Sequence, residues 1–268
     1  MELRKFIPSF LRTLRIRTKW FIKNYNSIFY NSLLFTPEQL QGNVTFFADG
    51  LITSNNCDFI NEEKFAKAYQ HAKATNPWPN FTLQWRVYVV CWFASLAKNL
   101  EGDFVECGVN TGAYARAIVD YLNFEELDKK FYLFDTYEGL VESMVSEEEK
   151  NAGIASYIGQ YDNVYERVLK TFAPFKNVEI IKGIVPHSLS KVETGTICYL
   201  SIDMNCAEPE IAAARFYWDK IVRGGVVILD DYGFPKHIEQ KKAFDKFAKE
   251  KDVQILSLPT GQGIIIKK

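Results

Sequence analysis

The chain has 268 residues, 47% of them hydrophobic, enough for one large domain or one domain with a cap. Its net charge of -1 leaves no global electrostatic footprint for nucleic acid, so no nucleic-acid partner is expected. The five cysteines, Cys57, Cys91, Cys107, Cys198 and Cys206, form no C-x-x-C pair, which argues against a zinc knuckle or a disulfide framework and for a reduced, cytoplasmic setting. No apolar run approaches the roughly 18 residues that a membrane-spanning helix needs.

Residues 1–25 carry Arg4, Lys5, Arg12, Arg15, Arg17, Lys19 and Lys23 against one acid, Glu2. Phe6, Ile7, Phe10, Leu11, Leu14, Ile16, Trp20, Phe21 and Ile22 are interleaved with them, and Pro8 and Ser9 can start a helix. The segment lacks the unbroken apolar centre and the cleavage site of a signal peptide. Two readings stand. One is a basic amphipathic helix lying on an anionic membrane, which would put the chain at the inner membrane face. The other is a helix packed on the protein body or on a second subunit of a homo-oligomer. Residues 26–80 are broken by "PEQLQGN", "ADG", "SNN" and "NPWPN" and read as a helical, loop-rich cap, so the domain division is expected at 1–80 and 81–268.

From residue 81 the pattern changes. "FTLQWRVYVVCWFASLAKNL" has helical spacing. Short apolar runs then alternate with amphipathic stretches: "DFVECG", "KFYLFD", "NVEIIKG", "ICYLSID", "GVVILDD", "VQILSLP" and "GIIIKK", with helix-like segments at 112–123, 160–173, 207–221 and 237–250. Such alternation predicts an α/β fold, a doubly wound and mostly parallel seven-stranded sheet covered by helices on both faces. Only "TGQG" joins the last two runs, which predicts an antiparallel C-terminal hairpin.

Ligands of open parallel sheets bind at the carboxyl ends of the strands. Those positions are Glu106 to Gly112, including Gly108, Asn110 and Thr111, then Asp135 with Thr136, then Gly183, Asp203, Asp230 and Asp231. The first glycine of "ECGVNTG" permits a sharp turn, and the second lets the following helix start close to a ligand. A dinucleotide pyrophosphate would favour G-x-G-x-x-G, and this loop is one glycine short. An acid ahead of the first glycine argues for a cationic, hydroxyl-rich ligand. S-adenosylmethionine fits, with its ammonium and sulfonium charges. Asp135, 23 positions after Gly112, has the spacing to hold both ribose hydroxyls. The structural alternative makes the glycines a plain turn and Asp135 a helix N-cap.

"DFVECGVNTGAYARAI", "LFDTYEGL", "LSIDMN", "GGVVILDDYG" and "TGQGIIIK", in that order, resemble the macrocin O-methyltransferase family over about residues 100–268. The resemblance implies a Rossmann-like, class I S-adenosylmethionine-dependent enzyme that methylates a sugar or glycan hydroxyl, in some members with a divalent metal. It implies that Glu106, Gly108 and Gly112 meet the methionine end of the cofactor, that Asp135 holds the ribose, and that Asp203, Asp230 and Asp231 are the metal acids. Magnesium prefers such oxygen ligands, and a hard cation can bind two neighbouring hydroxyls and acidify one. The bland reading of "LDDYG" is an acidic turn capping the next helix.

One departure matters. The family often shows I-D-G-D, whose second acid is a candidate general base, and here the stretch reads Ile202-Asp203-Met204-Asn205. Asparagine hydrogen-bonds a hydroxyl but cannot take its proton. Either the metal and Asp203 share the deprotonation, or another base serves, with His237 the nearest titratable candidate and His187 closer to the adenine. Trp78, Trp85 and Trp92 offer flat faces for a sugar ring or for core packing. "NPWPN" and "ADGLITSNNCDF" are candidate lids. A nicotinamide-dependent enzyme and a non-catalytic binding subunit remain as rivals, the second motivated by Asn205.

Overall fold

The computed structural model describes residues 43–159 and 163–268. The basic segment of residues 1–25, with its membrane and packing readings, lies outside the described residues. The chain divides into two compact units, Met1–Phe47 with Ile52–Cys57 and Ala48–Leu51 with Asp58–Lys268. In the first, the Thr45 hydroxyl donates to the Thr53 carbonyl at 3.1 Å. A hairpin unforeseen in the sequence, β1 (Phe46–Ala48) and β2 (Leu51–Thr53), turns at Asp49 and Gly50, both at positive φ. Asp-Gly is a residue pair that such a turn demands.

The second unit is built on a seven-stranded sheet. Its strands are β3 (Asp103–Cys107), β4 (Phe131–Asp135), β5 (Val178–Lys182), β6 (Ile197–Ile202), β7 (Ile221–Leu229), β8 (Leu256–Ser257) and β9 (Gly263–Ile266), in the order β5-β4-β3-β6-β7-β9-β8. All neighbours through β7 run parallel, and β9 pairs antiparallel with both β7 and β8. The apolar runs of the sequence are these strands, because a strand buried on both faces needs apolar residues throughout. The chain steps outward from β3 to β5 and then returns to β6 on the other side of β3. That reversal parts the loops after β3 and β6 and opens a crevice between them.

Seven α-helices lie among the described residues: α1 (Glu63–Ala74), α2 (Gln84–Ala97), α3 (Ala113–Leu122), α4 (Glu147–Asn151), α5 (Tyr165–Phe172), α6 (Ala207–Trp218) and α7 (Ile238–Glu250). Helix α1 belongs to the unit that holds the sheet. It packs with α2 and α3 on one face, while α6 and α7 cover the other. The period of two along β3 divides its side chains between these layers. Val105 and Cys107 join Tyr217, Trp218, Phe244 and Phe247, whereas Phe104 meets Phe124, Phe131 and Tyr199. Glu106 shares the face of Phe104, so a carboxylate stands where the pattern calls for an apolar residue. Among the described residues no helix is long and apolar enough to cross a membrane.

Candidate active site

A cleft of about 330 Å³ opens at the carboxyl ends of β3, β4, β6 and β7. Of the residues singled out in the sequence, Glu106, Gly108, Asn110, Thr111, Asp135, Thr136, Gly183, Asp203, Asp230, Asp231 and His237 all line it. Gly112 does not. It caps α3 at φ 85°, and a Cβ there would lie 2.5 Å from the Phe172 ring, so its need for glycine comes from α5. Gly108 is required more strictly still. Its φ is 91°, and a Cβ would stand 1.9 Å from the Asp203 carbonyl oxygen. That near-contact of two backbones joins the β3 loop to the end of β6.

Asp135 organises the loop after β3. One carboxylate oxygen accepts from the amides of Val109 (2.6 Å) and Asn110 (2.8 Å), and the other from the amide of Tyr137 (2.5 Å). The N-cap alternative therefore takes a different form, since the capped amides belong to two loops and no helix. A carboxylate offers about four lone-pair directions, and because the Thr136 hydroxyl, 3.3 Å from Asp135 Oδ1, spends its one proton on the nearer Gly139 carbonyl, Asp135 retains capacity toward a ligand hydroxyl. Thr111 is turned away from that role, because its hydroxyl pairs with Thr75 at 2.8 Å in a buried contact. Thr136 donates to the Gly139 carbonyl at 2.7 Å.

Glu106 is 1% exposed, and its Oε2 has no hydrogen-bond partner among the described residues. Burial, and then the charges of Asp135 and Asp230, push its pKa well above the usual carboxylate range. An enclosed carboxylate lining a cleft without a partner is costly, and a cationic ligand would relieve it. The residues thus fit S-adenosylmethionine, whose ammonium is such a cation.

Asp203, Asp230 and Asp231 converge at the ends of β6 and β7, with one oxygen from each inside a 4.8 Å cluster. Their environments differ. Asp230 is held by three donors, Arg86 at 2.5 Å, Tyr114 at 3.0 Å and Gln262 at 3.0 Å. Asp231 Oδ2 has no hydrogen bond and lies 3.6 Å from His237 Nδ1. Asp203 accepts from the Asn205 side chain at 3.3 Å. Burial and then the neighbouring acids drive Asp203 well upward, and burial lifts Asp231 to about 6 against the opposing pull of His237. A divalent cation suits this donor set, since oxygens of Asp203 and Asp231 remain open to it.

Several residues of the site escaped sequence reading. Arg86 forks onto Asp49 through two bonds of 2.7 and 2.8 Å while reaching Asp230. Its one signal was to be the single charge in the apolar helix "QWRVYVVCWFASLA". Leu140, Val141, Met144 and Tyr157, from the stretch between β4 and α5, wall the cleft. Tyr157 stacks on His237, and Lys236 sits 3.7 Å over its ring. Trp78 of "NPWPN" lines the cleft; Trp85, Trp92 and His187 do not. Trp85 packs on Phe59 and Tyr88, and Trp92 is exposed.

A parallel sheet with this reversal, and an acid-lined cleft at its switch point, define a Rossmann-like ligand-binding fold. The model of the macrocin-O-methyltransferase (TylF) family matches residues 87–256, and the chain belongs to that family. It is an S-adenosylmethionine-dependent O-methyltransferase, which decides the cofactor against a nicotinamide. Among solved structures it is similar to the O-methyltransferase NovP, at 18% identity and TM-score 0.60 over 74% of this chain and 88% of that one. It is also similar to CalS11, a calicheamicin methyltransferase, at 14% identity and TM-score 0.57 over 76% and 93%. No curated protein matches it.

Proposed function

We propose that the chain methylates a hydroxyl of a sugar or of a glycosylated small molecule, with a divalent cation, magnesium in the first instance, held by Asp203, Asp230 and Asp231. The observation that carries the cation is the convergence of those three carboxylates within 4.8 Å in the cleft that also contains Glu106. Charge supports it. Fully ionised, the three acids and Asp49 carry -4 against the +1 of Arg86, and a divalent ion offsets most of that excess. The sugar acceptor is supported by membership of the macrocin-O-methyltransferase family.

S-adenosylmethionine supplies a methyl group on a sulfonium, and the cation, when bound, lowers the pKa of a hydroxyl beside it. The residues do the rest. Glu106 takes the ammonium, and Asp135 takes the ribose while holding the loop of Gly108, Asn110, Thr111 and Gly112 in shape. Thr136 and Gly183 border the same side. Asp203 and Asn205 orient the acceptor hydroxyl, whose oxygen bonds to the methyl carbon as the carbon–sulfur pair returns to sulfur. The hydroxyl proton passes to His237, which replaces the acid missing at position 205. Orientation matters as much as acidity, because direct transfer needs oxygen, carbon and sulfur nearly collinear.

The test is transfer of labelled methyl to glycosides with and without a vicinal diol, with chelator, with magnesium restored, and in Asp230→Asn. Manganese binding followed by electron paramagnetic resonance reads the cation without turnover. Loss with chelator, recovery with magnesium and weakened manganese binding in Asp230→Asn are expected. Activity that survives both chelator and substitution overturns the cation and leaves proton transfer to His237 alone. The composition of residues 1–25 supports a further contact with anionic lipid. Salt-sensitive co-sedimentation with anionic vesicles, lost when those residues are removed, would bear on it, and equal sedimentation of both forms would refute it.

A further inference from the structure

His237 is 5% exposed, lines the cleft, and belongs to a run of buried polar side chains that leads back to a backbone amide. The Met204 N–H donates to Glu210 Oε1 at 2.9 Å. The side-chain amide of Gln240 meets that same oxygen at 2.7 Å and, at its other end, meets His237 Nδ1. Glu210, His237 and Gln240 are all buried, and Gln240 is 1% exposed. Glu210 Oε1, Gln240 and Nδ1 of His237 find their partners within the run, which ties the start of α6 to the start of α7.

A backbone amide can only donate, and this fixes the direction of every later bond. Glu210 Oε1 receives the Met204 N–H, the role of a carbonyl-type oxygen that leaves any carboxyl proton on Oε2, so the Gln240 atom against Oε1 is the NH2 group. The carbonyl oxygen of Gln240 therefore faces His237, and Nδ1 must carry the hydrogen. In a neutral ring Nε2 is then bare. Nε2 has no hydrogen bond among the described residues, nor is it one of the enclosed polar atoms that lack a partner. The ring is held in plane by Tyr157, whose ring lies 6.2 Å away at 18°.

We propose that Gln240 is a positioning residue. Oriented by Glu210, it locks His237 in the tautomer with hydrogen on Nδ1 and presents an unprotonated Nε2 to the acceptor hydroxyl. The inference rests on the reading of His237 as the proton acceptor. It adds the residue that makes that role available, an H-x-x-Q pair at the start of α7 in place of the carboxylate that commonly orients a catalytic imidazole. In the reaction the lone pair of Nε2 takes the hydroxyl proton. The oxygen pair bonds to the methyl carbon, the carbon–sulfur pair goes to sulfur, and the imidazolium later gives its proton to solvent. The positive charge that leaves the sulfonium thus reappears on His237.

Nitrogen-15 NMR of the full-length protein with labelled histidine reads the tautomer directly and needs no acceptor. The chain has three histidines, so His237→Gln assigns the signal. Wild type is expected to show a protonated Nδ1 and a bare Nε2 at His237. Gln240→Leu removes one neutral hydrogen bond and should lower the tautomer ratio roughly three- to tenfold. Gln240→Glu keeps an acceptor against Nδ1 and should retain the Nδ1 hydrogen, although it loses the NH2 group that faces Glu210. A protonated, neutral-ring Nε2 in wild type overturns the proposal, as does a ratio unchanged in Gln240→Leu, which would hand the role to Asp231. Methyl transfer to a diol-bearing glycoside in His237→Gln tests the underlying reading separately. Full activity there removes His237 as the base, while the tautomer result still stands or falls on its spectrum.

Discussion

Glu106→Gln should move stability and cofactor affinity in opposite directions. The wild-type carboxyl is 1% exposed, has an oxygen without a partner, and faces the charges of Asp135 and Asp230, so its folded pKa lies above its unfolded one. For a group shifted upward, the contribution to stability is fully present below the unfolded pKa, about 4.3 for glutamate, and is lost as pH rises toward the folded pKa. Over that interval folding takes up a proton that the unfolded chain has already released, at about 1.36 kcal/mol per pH unit. Glutamine has nearly the same shape and no proton to take up. The variant's advantage in urea unfolding of the ligand-free protein should therefore grow with that slope from pH 5 upward and level off where Glu106 ionises. Titration calorimetry with S-adenosylmethionine should show the reverse. Loss of a charge-assisted bond to the ammonium costs roughly 1.5–3 kcal/mol, a ten- to 150-fold rise in Kd. A stability difference that stays flat across pH, together with unchanged affinity, would refute the reasoning, because Glu106 would then be neither strained when ligand-free nor engaged when bound.

Three further outcomes are expected. Asp135→Ala should lower stability and cofactor affinity together by roughly 1.5–3 kcal/mol each, since its oxygens hold three loop amides as well as facing the ligand; a variant that weakens affinity without changing its urea midpoint would contradict the loop-holding role. Gly108→Ala should destabilise by at least about 3 kcal/mol, because the added Cβ meets the Asp203 carbonyl at 1.9 Å, whereas Gly159→Ala, with open space around it, should cost only about 1 kcal/mol for its positive φ; equal midpoints for the two would remove the steric argument. Burial, and then the charge of Asp231, lift Glu210 to about 8, so wild type should lose stability between pH 4.5 and 8, by at most roughly 5 kcal/mol. Glu210→Gln, which keeps the acceptor for Met204 and Gln240, should flatten that part of the profile, and an unchanged slope in thermal melts would place the titration elsewhere.

The sequence by itself determined the sheet and most of the cleft's floor. Buried parallel strands must be apolar along their whole length, so each run announced its strand, and each acid or glycine that ended a run lay at a carboxyl end. Glu106, Asp135, Asp203, Asp230 and Asp231 were legible for that reason, although they span over a hundred residues. The hairpin at Asp49 and Gly50 was not, because three-residue strands give too little periodicity to detect. Partnership was also beyond the sequence. Only tertiary structure brings Arg86 from α2 onto Asp230 and Tyr114 from α3 onto the same carboxylate, contacts 144 and 116 residues apart. It alone sets Gly112 against Phe172 and pairs the Thr111 hydroxyl with that of Thr75. The protonation pattern of His237 follows from the same cause. A histidine beside an aspartate is visible in a sequence. Which of its nitrogens is bare depends on a glutamine one turn along the helix, a glutamate on another helix and a backbone amide that can only donate, and folding alone puts those three in line.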